Sequence, residues 1–450
     1  MTPPRVTVVG AGLAGCEAAW QLATAGVPVT LIEMRPGRRS PAHSTDEFAE
    51  LVCSNSFKGT DASTATGSLK DELRRIGSFI LECAQQTRVP AGAALAVDRH
   101  AFSALVTHRI SEHPLVSVEH SEATSIPSGP AIVATGPLTS SGMETALSEL
   151  IGADRLSFFD AAAPIVDGAT IDREVAFAAS RYDKGGGADY LNCPLDKTQY
   201  ELLIDALRTG QRVQAHAFET KDLFQACQPV EEVCRSGVDA LRFGAMKPVG
   251  LIDPRTGQRP WAVVQLRPEN TAGTAYNLVG FQTNLTFPEQ RHILGLIPGL
   301  GMADVLRFGV MHRNTFIDAP RILDSSLRLR EHPHLRLCGQ LTGTEGYLEA
   351  AASGLLAGLN TVAEIRGLPG VVLPSTTALG ALVAYATNPE TARYQPMHVN
   401  WGLVPPLDPP VRGKRRRYEA YRERAAKDML DYASRHPLLA LTPETSASRP

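Results

Sequence analysis

Several things are missing from this chain, and each absence narrows the reading. No apolar run is long enough to span a bilayer, so no helical membrane protein is expected. No charged-then-apolar leader with a cleavage site precedes the first strand, so the expected location is the cytoplasm. No C-x-x-C pair occurs, and no Cys/His spacing suits zinc, so no metal is expected. The seven cysteines (Cys16, Cys53, Cys83, Cys193, Cys227, Cys234 and Cys338) are odd in number and scattered, which argues against a disulfide framework and for reduced thiols. Excess charge is also missing. Lys and Arg total 44 against 47 Asp and Glu, a formal net charge of -3, so no global field draws the chain to nucleic acid. Any polyanion contact must rest on a local basic patch. No fixed-period repeat is present, which excludes solenoids.

What is present begins at once. VTVV, residues 6–9, has the composition of a short buried strand, and Gly10, Ala11, Gly12, Leu13, Ala14 and Gly15 follow as G-x-G-x-x-G. An alanine-rich helical stretch comes next, and a second strand, VTLIE, ends in Glu33. This is the pattern of dinucleotide binding. Gly10 permits the tight turn, Gly12 lets backbone approach a pyrophosphate, and Gly15 lets helix and strand pack closely. The helix N-terminus offers its positive end to the phosphates, and Glu33 is placed to accept from ribose hydroxyls. The expected fold class is α/β, with a Rossmann-like domain.

At 450 residues the chain suggests two or three domains. A long polar stretch, residues 34–67, is expected to be a loop, functional or disordered, and residues 68–86 to be one helix. AIVATGP, residues 131–137, has the composition of a further buried strand. From about 159 to 320 strands such as WAVVQLRP alternate with turns, as in an inserted α+β domain. The first pattern returns in LRLCGQLTGTEGYLEAAASGLLAGLN: strand, glycine-rich turn, long helix. Gly339, Gly343 and Gly346 in that turn can cap the other end of an extended cofactor. The expected organisation is a discontinuous cofactor domain, 1–158 and 321–440, with an insertion at 159–320 and a disordered tail at 441–450.

Five segments could carry chemistry. Cys53, in ELVCSNSFKG, has Ser, Asn and Lys nearby, a setting that stabilises thiolate; a buried structural thiol is the alternative. Cys227, in FQACQPVEEV, lies where Pro229 breaks the chain; downstream, Arg242 and Lys247 beside glycines form a loop that presents cations to substrate or RNA, with a surface loop of solvated charges as the alternative. Cys234 is expected only to pack. In RFGVMHRNTFI, His312, Arg313 and Asn314 sit in an apolar frame, lining a pocket or forming a satisfied polar cluster; His398, Asn400 and Trp401 suggest a pocket wall. Lys414, Arg415, Arg416 and Arg417 precede Tyr418 and Tyr421, a pairing that suits phosphate contact and base stacking. Glu419 and Glu423 leave open a solvated helix with internal ion pairs.

Taken together, GAGLAGCEAAWQLA, ELVCSNSFKG, FQACQPVEE, LRFGAMKPVGL, RFGVMHRNTFI, GQLTGTEGYLEAAASGL and PMHVNWGLVPP resemble the folate- and FAD-dependent tRNA (uracil-5-)-methyltransferases, along nearly the whole chain. The segment GQLTGTEGYLEAAA is shared with larger flavoproteins that modify the tRNA wobble uridine; CSNSF and MKPVGL discriminate. The resemblance implies methylation of the T-loop uridine of tRNA to ribothymidine. The carbon would come from 5,10-methylenetetrahydrofolate, with FAD reduced by NAD(P)H. It maps the functional thiols to Cys53 and Cys227. Cys227 is expected to attack uracil C6 and Cys53 to serve the flavin side, though the roles could be exchanged. Wobble-uridine modification and a non-catalytic flavin-bound RNA-binding protein are the alternatives.

Overall fold

The two ends of the chain share one sheet. A computed structural model describes residues 3–40, 42–161, 163–183, 189–213, 228–268, 273, 275–309, 311–391, 394 and 396–439. Five short strands lie in the order Leu335–Leu337, Ala131–Val133, Val6–Val9, Val29–Glu33 and Val116–His120, all parallel. The Val, Ile and Leu side chains of the first four suit a sheet covered on both faces, while the edge strand Val116–His120 is half polar and largely exposed. The helices Leu13–Thr24 and Tyr347–Ile365 cross in close contact, because small residues meet where they touch. A Cβ on Gly354 would stand 2.2 Å from the Ala14 carbonyl oxygen, and one on Gly358 would stand 3.0 Å from that of Ala18.

The expected single helix over 68–86 is two, Ala65–Ile76 and Phe79–Gln86. Gly77 takes a left-handed conformation (φ 93°) that ends the first, and the Ser78 hydroxyl caps the second by accepting from the Leu81 N–H. The long polar stretch is not all loop. Ser56–Gly59 pairs antiparallel with Ala94–Val97, which also pairs with Arg88–Val89. This small sheet anchors the segment just after Cys53.

Between the halves of the parallel sheet, the chain builds a six-stranded antiparallel sheet, in the order Phe177–Ala178, Leu191–Leu195, Ala262–Pro268, Ala275–Leu278, Ile165–Asp167 and Val305–Arg307. Its two faces differ, as strand alternation dictates. Ala262, Val264 and Leu266 join a core with Tyr200, Leu203 and Cys234 from the helices Lys197–Thr209 and Val230–Ser236. Gln265, Arg267, Asn192 and Asn277 fall on the opposite face and are buried there as a polar set. Leu156–Ala161 and Met311–Ile317 pair antiparallel as a two-stranded ribbon.

Candidate functional site

A cleft opens at the carboxyl ends of the parallel strands, where open α/β sheets bind ligands. Its wall takes Val9 and Gly10 at the end of the first strand, Ile32 and Glu33 at the end of the second, and Ala134–Pro137 and Gly339–Gln340 beyond the strands on the other side. The void, open mouth included, is about 1130 Å3.

Three glycines divide the labour of the turn. Gly10 has φ 98°, and a Cβ there would stand 2.7 Å from the Ala134 carbonyl oxygen. A Cβ on Gly15 would fall 1.8 Å from the Gly10 carbonyl oxygen. Gly15 is therefore a packing residue, outside the cleft wall. A Cβ on Gly12 would meet nothing within 4 Å: it would point into the cleft. Gly12 is also the N-cap of the Leu13–Thr24 helix and supplies no side-chain acceptor, so the first helical N–H groups face the void.

Leu13 and Ala14 also line the wall, whereas Ala11 does not. The Ala11 N–H instead donates to Glu33 Oε2 at 2.9 Å. Glu33 Oε1 accepts from the Arg35 N–H at 3.1 Å and from Arg35 Nε at 2.8 Å. Burial pushes the Glu33 carboxyl up, but Arg35 and the Ala11 N–H outweigh it and hold the group below the usual carboxylate range. Arg35, itself 2% exposed and in the cleft wall, escaped the sequence reading; its setting depends on Glu47 and Glu50 as well.

On the far wall Gly339 (φ 77°) and Gly346 (φ 117°) line the cleft, while Gly343 does not. A Cβ at Gly343 would lie 2.3 Å from the Tyr394 hydroxyl, which donates to the Thr342 carbonyl. Gly343 is thus required by packing.

Cys53 is in the cleft wall. Of the six described cysteines it alone is half-buried; the other five are buried. Burial pushes the thiols of Cys83, Cys193 and Cys234 up to about 12, and raises those of Cys16 and Cys338 further. Such groups are poor nucleophiles at neutral pH. The Cys53 loop is held from three sides. Tyr347, first residue of the long helix, accepts at its hydroxyl from the Cys53 N–H (2.9 Å) and the Ser54 N–H (3.1 Å). Arg99 donates to the carbonyls of Leu51 (2.6 Å) and Cys53 (2.8 Å). Asn55, fully buried, accepts from Arg267 Nε at 2.8 Å and donates to the Pro268 carbonyl at 2.8 Å, which ties the loop to the antiparallel sheet. Nearby, Lys58 pairs with buried Glu349 at 2.9 Å.

The remaining candidates divide. Cys227 lies outside the described residues. For His312, Arg313 and Asn314 the backbone runs in the ribbon strand, but the side chains lie outside the described set, as does that of Lys414. Arg242 and Lys247 are on the antiparallel-sheet side and do not line the cleft. Arg415, Arg416 and Arg417 are exposed on the helix Lys414–Ala433, with Arg415 paired to Glu419. Tyr421, expected to stack on a base, is buried against Trp401 with ring centroids 5.3 Å apart. Trp401 donates to the Ser63 carbonyl and is a packing residue, not a cleft wall. Half-buried His398 is shifted down by burial and by Lys58, against Glu349. No described helix is long and apolar enough to cross a membrane, and no described cluster of His, Cys, Asp and Glu could hold a metal.

A parallel sheet with a glycine turn, an inserted antiparallel sheet and a returning C-terminal helix define a broad class. Residues 5–369 match the profile of the family described as "Glucose inhibited division protein A". The solved structures of Aquifex aeolicus GidA agree on the fold: one superposes with a TM-score of 0.70 at 16% identity, covering 96% of this chain and 74% of that one. Much nearer relatives narrow the class. The chain is 55% identical over 414 residues to the methylenetetrahydrofolate--tRNA-(uracil-5-)-methyltransferase TrmFO of Pelobacter propionicus, covering 92% of this chain and 91% of the relative. It is 54% identical over 432 residues to that of Thermosynechococcus vestitus, covering 95% and 94%. The chain belongs to the TrmFO family.

Proposed function

We infer that this protein methylates C5 of a tRNA uridine, taking the carbon from 5,10-methylenetetrahydrofolate, and that the target is the T-loop uridine. The observation that carries the reading is half-buried Cys53 in the wall of the cleft that the glycine turn opens onto, in a chain with TrmFO relatives at 55% identity. A wobble-uridine modifier has no comparable support, because the GidA likeness is one of fold, at 16% identity. A reducing compartment, the cytoplasm, suits the reading.

The cleft fits FAD. Gly12 leaves room for a pyrophosphate at an uncapped helix N-terminus, Glu33 stands at the end of the second strand for a ribose, and Gly339, Gln340 and Gly346 form the opposite wall. Bound there and charged by NAD(P)H, the flavin supplies the two electrons that turn a transferred methylene into a methyl.

The chain's own groups do the rest. Uracil C5 is a weak nucleophile. A thiolate adding at C6 forms an S–C6 bond and moves the C5–C6 π pair toward O4 as an enolate, and C5 can then attack the folate-borne methylene. The proton on C5 must leave to a base, the bond between the methylene and the folate nitrogen breaks with its electron pair going to tetrahydrofolate, and, once the methylene has been reduced, the thiolate departs as the C5–C6 double bond is restored. Cys227 is assigned the attack on C6, and Cys53 the base on the flavin side. The target base must leave its stack to reach these groups. Arg415, Arg416 and Arg417, with Lys414, contribute phosphate contacts. The ribbon of Leu156–Ala161 and Met311–Ile317 is taken as the neck between a cofactor domain (1–158 and 321–440) and the insertion (159–320).

RNA carrying 5-fluorouridine tests the covalent step, because fluorine at C5 blocks proton loss and the thiol adduct persists. Wild type and Cys53→Ala should form a denaturation-stable adduct and Cys227→Ala should not. An adduct in Cys227→Ala reassigns the nucleophile. No adduct with wild type overturns attack at C6.

A further inference from the structure

Arg242 has no part in the cleft, and its surroundings form a surface of another kind. Its guanidinium lies over the Trp261 ring, 3.8 Å from the centroid, and its Nε donates to the Trp261 carbonyl at 3.0 Å. Lys197 Nζ is 5.7 Å from the same ring. Next to Arg242, Phe243 is 73% exposed, with the Arg242 guanidinium 5.7 Å from its ring centroid. The support beneath is firm. Leu241 and Met246 are buried in the core, and the Met246 N–H donates to the Leu241 carbonyl. The ring of Phe243 is thus offered to solvent from a fixed base, at a cost that folding alone does not require.

We propose that Phe243, Arg242, Trp261 and Lys197 form a second RNA contact, separate from the cleft, in which an unstacked base lies on Phe243 while Arg242, Lys197 and exposed Lys247 take flanking phosphates. The inference rests on tRNA being the substrate. Aromatic faces interleaved with cations match the stacked bases and anionic backbone of RNA. Lys197 has Glu201 at 3.7 Å, but Arg242 and Lys247 face no carboxylate at ion-pair distance among the described residues. An acidic protein would use the cations and leave the exposed ring unemployed; RNA uses both.

The position fits a large ligand. Trp261 immediately precedes the strand Ala262–Pro268, and the far end of that strand, Arg267 and Pro268, holds Asn55 beside Cys53. Six residues at ~3.3 Å each separate the two ends by about 20 Å. One nucleotide cannot reach both; a folded tRNA can.

The test uses Phe243→Ala and Phe243→Tyr in the full-length holoenzyme, with unmodified tRNA transcript as the probe. Stacking of one base predicts that Phe243→Ala raises both the Kd and the KM for tRNA by roughly tenfold or more. Its kcat and flavin content should stay unchanged, and Phe243→Tyr, which keeps the aromatic face, should behave as wild type. Phe243 is exposed, so its truncation does not threaten the fold, and an unchanged Tm checks that. Equal tRNA affinity in Phe243→Ala and wild type overturns the platform alone. Failure of wild type to bind tRNA overturns the platform together with the RNA reading.

Discussion

Lys70 shows how much one buried group can impose. Its ammonium donates to the Gly59 carbonyl at 2.7 Å and is 7% exposed. Burial, against the pull of Glu349 and with the push of Lys58, lowers its pKa to about 7. Between about 7 and the ordinary lysine value the unfolded chain therefore binds the proton that the folded chain has released. Stability must rise with pH across that window and lack this contribution below it. Denaturation midpoints between pH 7 and 10 should climb more steeply for wild type than for Lys70→Met; parallel slopes would remove Lys70 as the cause. Gly12 makes a sharper case, because its missing side chain is functional space. Gly12→Val should purify folded with wild-type Tm but without flavin absorbance, and retained flavin would place the cofactor elsewhere. The glycine turn was legible because its constraints are local: strand, turn and helix are contiguous in sequence. Arg35, Arg99 and Tyr347 were not. Tyr347 meets Cys53 across 294 residues, and no local pattern announces such a partner.

The crossing of Leu13–Thr24 with Tyr347–Ile365 is where the first and last parts of the cofactor cleft are locked together. Gly354→Leu would push a side chain into the Ala14 backbone, which cannot yield as a side chain could. Overpacking of this kind costs about 1–3 kcal/mol, so the Tm should fall and flavin should be lost more readily; an unchanged Tm would mean that the helices can separate freely. The helix Lys414–Ala433 carries its basic start on an exposed face. Arg416→Glu with Arg417→Glu should raise the KM for tRNA and flatten its salt dependence, by about 0.7–0.9 in log–log slope per lost phosphate contact. An unchanged slope would take this helix out of the RNA site. Its basic character was plain in the sequence, but the fate of Tyr421 was not, since only the folded chain brings Trp401 against it. The split of 68–86 into two helices was foreshadowed by Gly77–Ser78, a stop followed by a cap, that hydrophobic periodicity alone overrides.

At the scale of the molecule, a cleft assembled from both ends of the chain meets a thiol loop that is tied to the inserted sheet through Asn55, Arg267 and Pro268. Four strands of the parallel sheet, with the recurrence of the pattern near Leu335, were readable because each carries its own apolar residues; Val116–His120, half polar and largely exposed, was not. The polar face of the inserted sheet was not, because Gln265 and Arg267 declare themselves only once Asn192 and Asn55 are beside them. On the proposed reading, this arrangement brings a flavin cleft, a thiol and a basic periphery into one protein, as folate-dependent uracil methylation demands. The most direct test incubates the purified protein with unmodified tRNA transcript, NADPH and 5,10-methylenetetrahydrofolate labelled in the methylene carbon, followed by nucleoside analysis. Labelled ribothymidine that forms only when the folate is present is the predicted result. Absence of ribothymidine, from protein that holds reducible flavin, would contradict the methyltransferase function while leaving the fold intact.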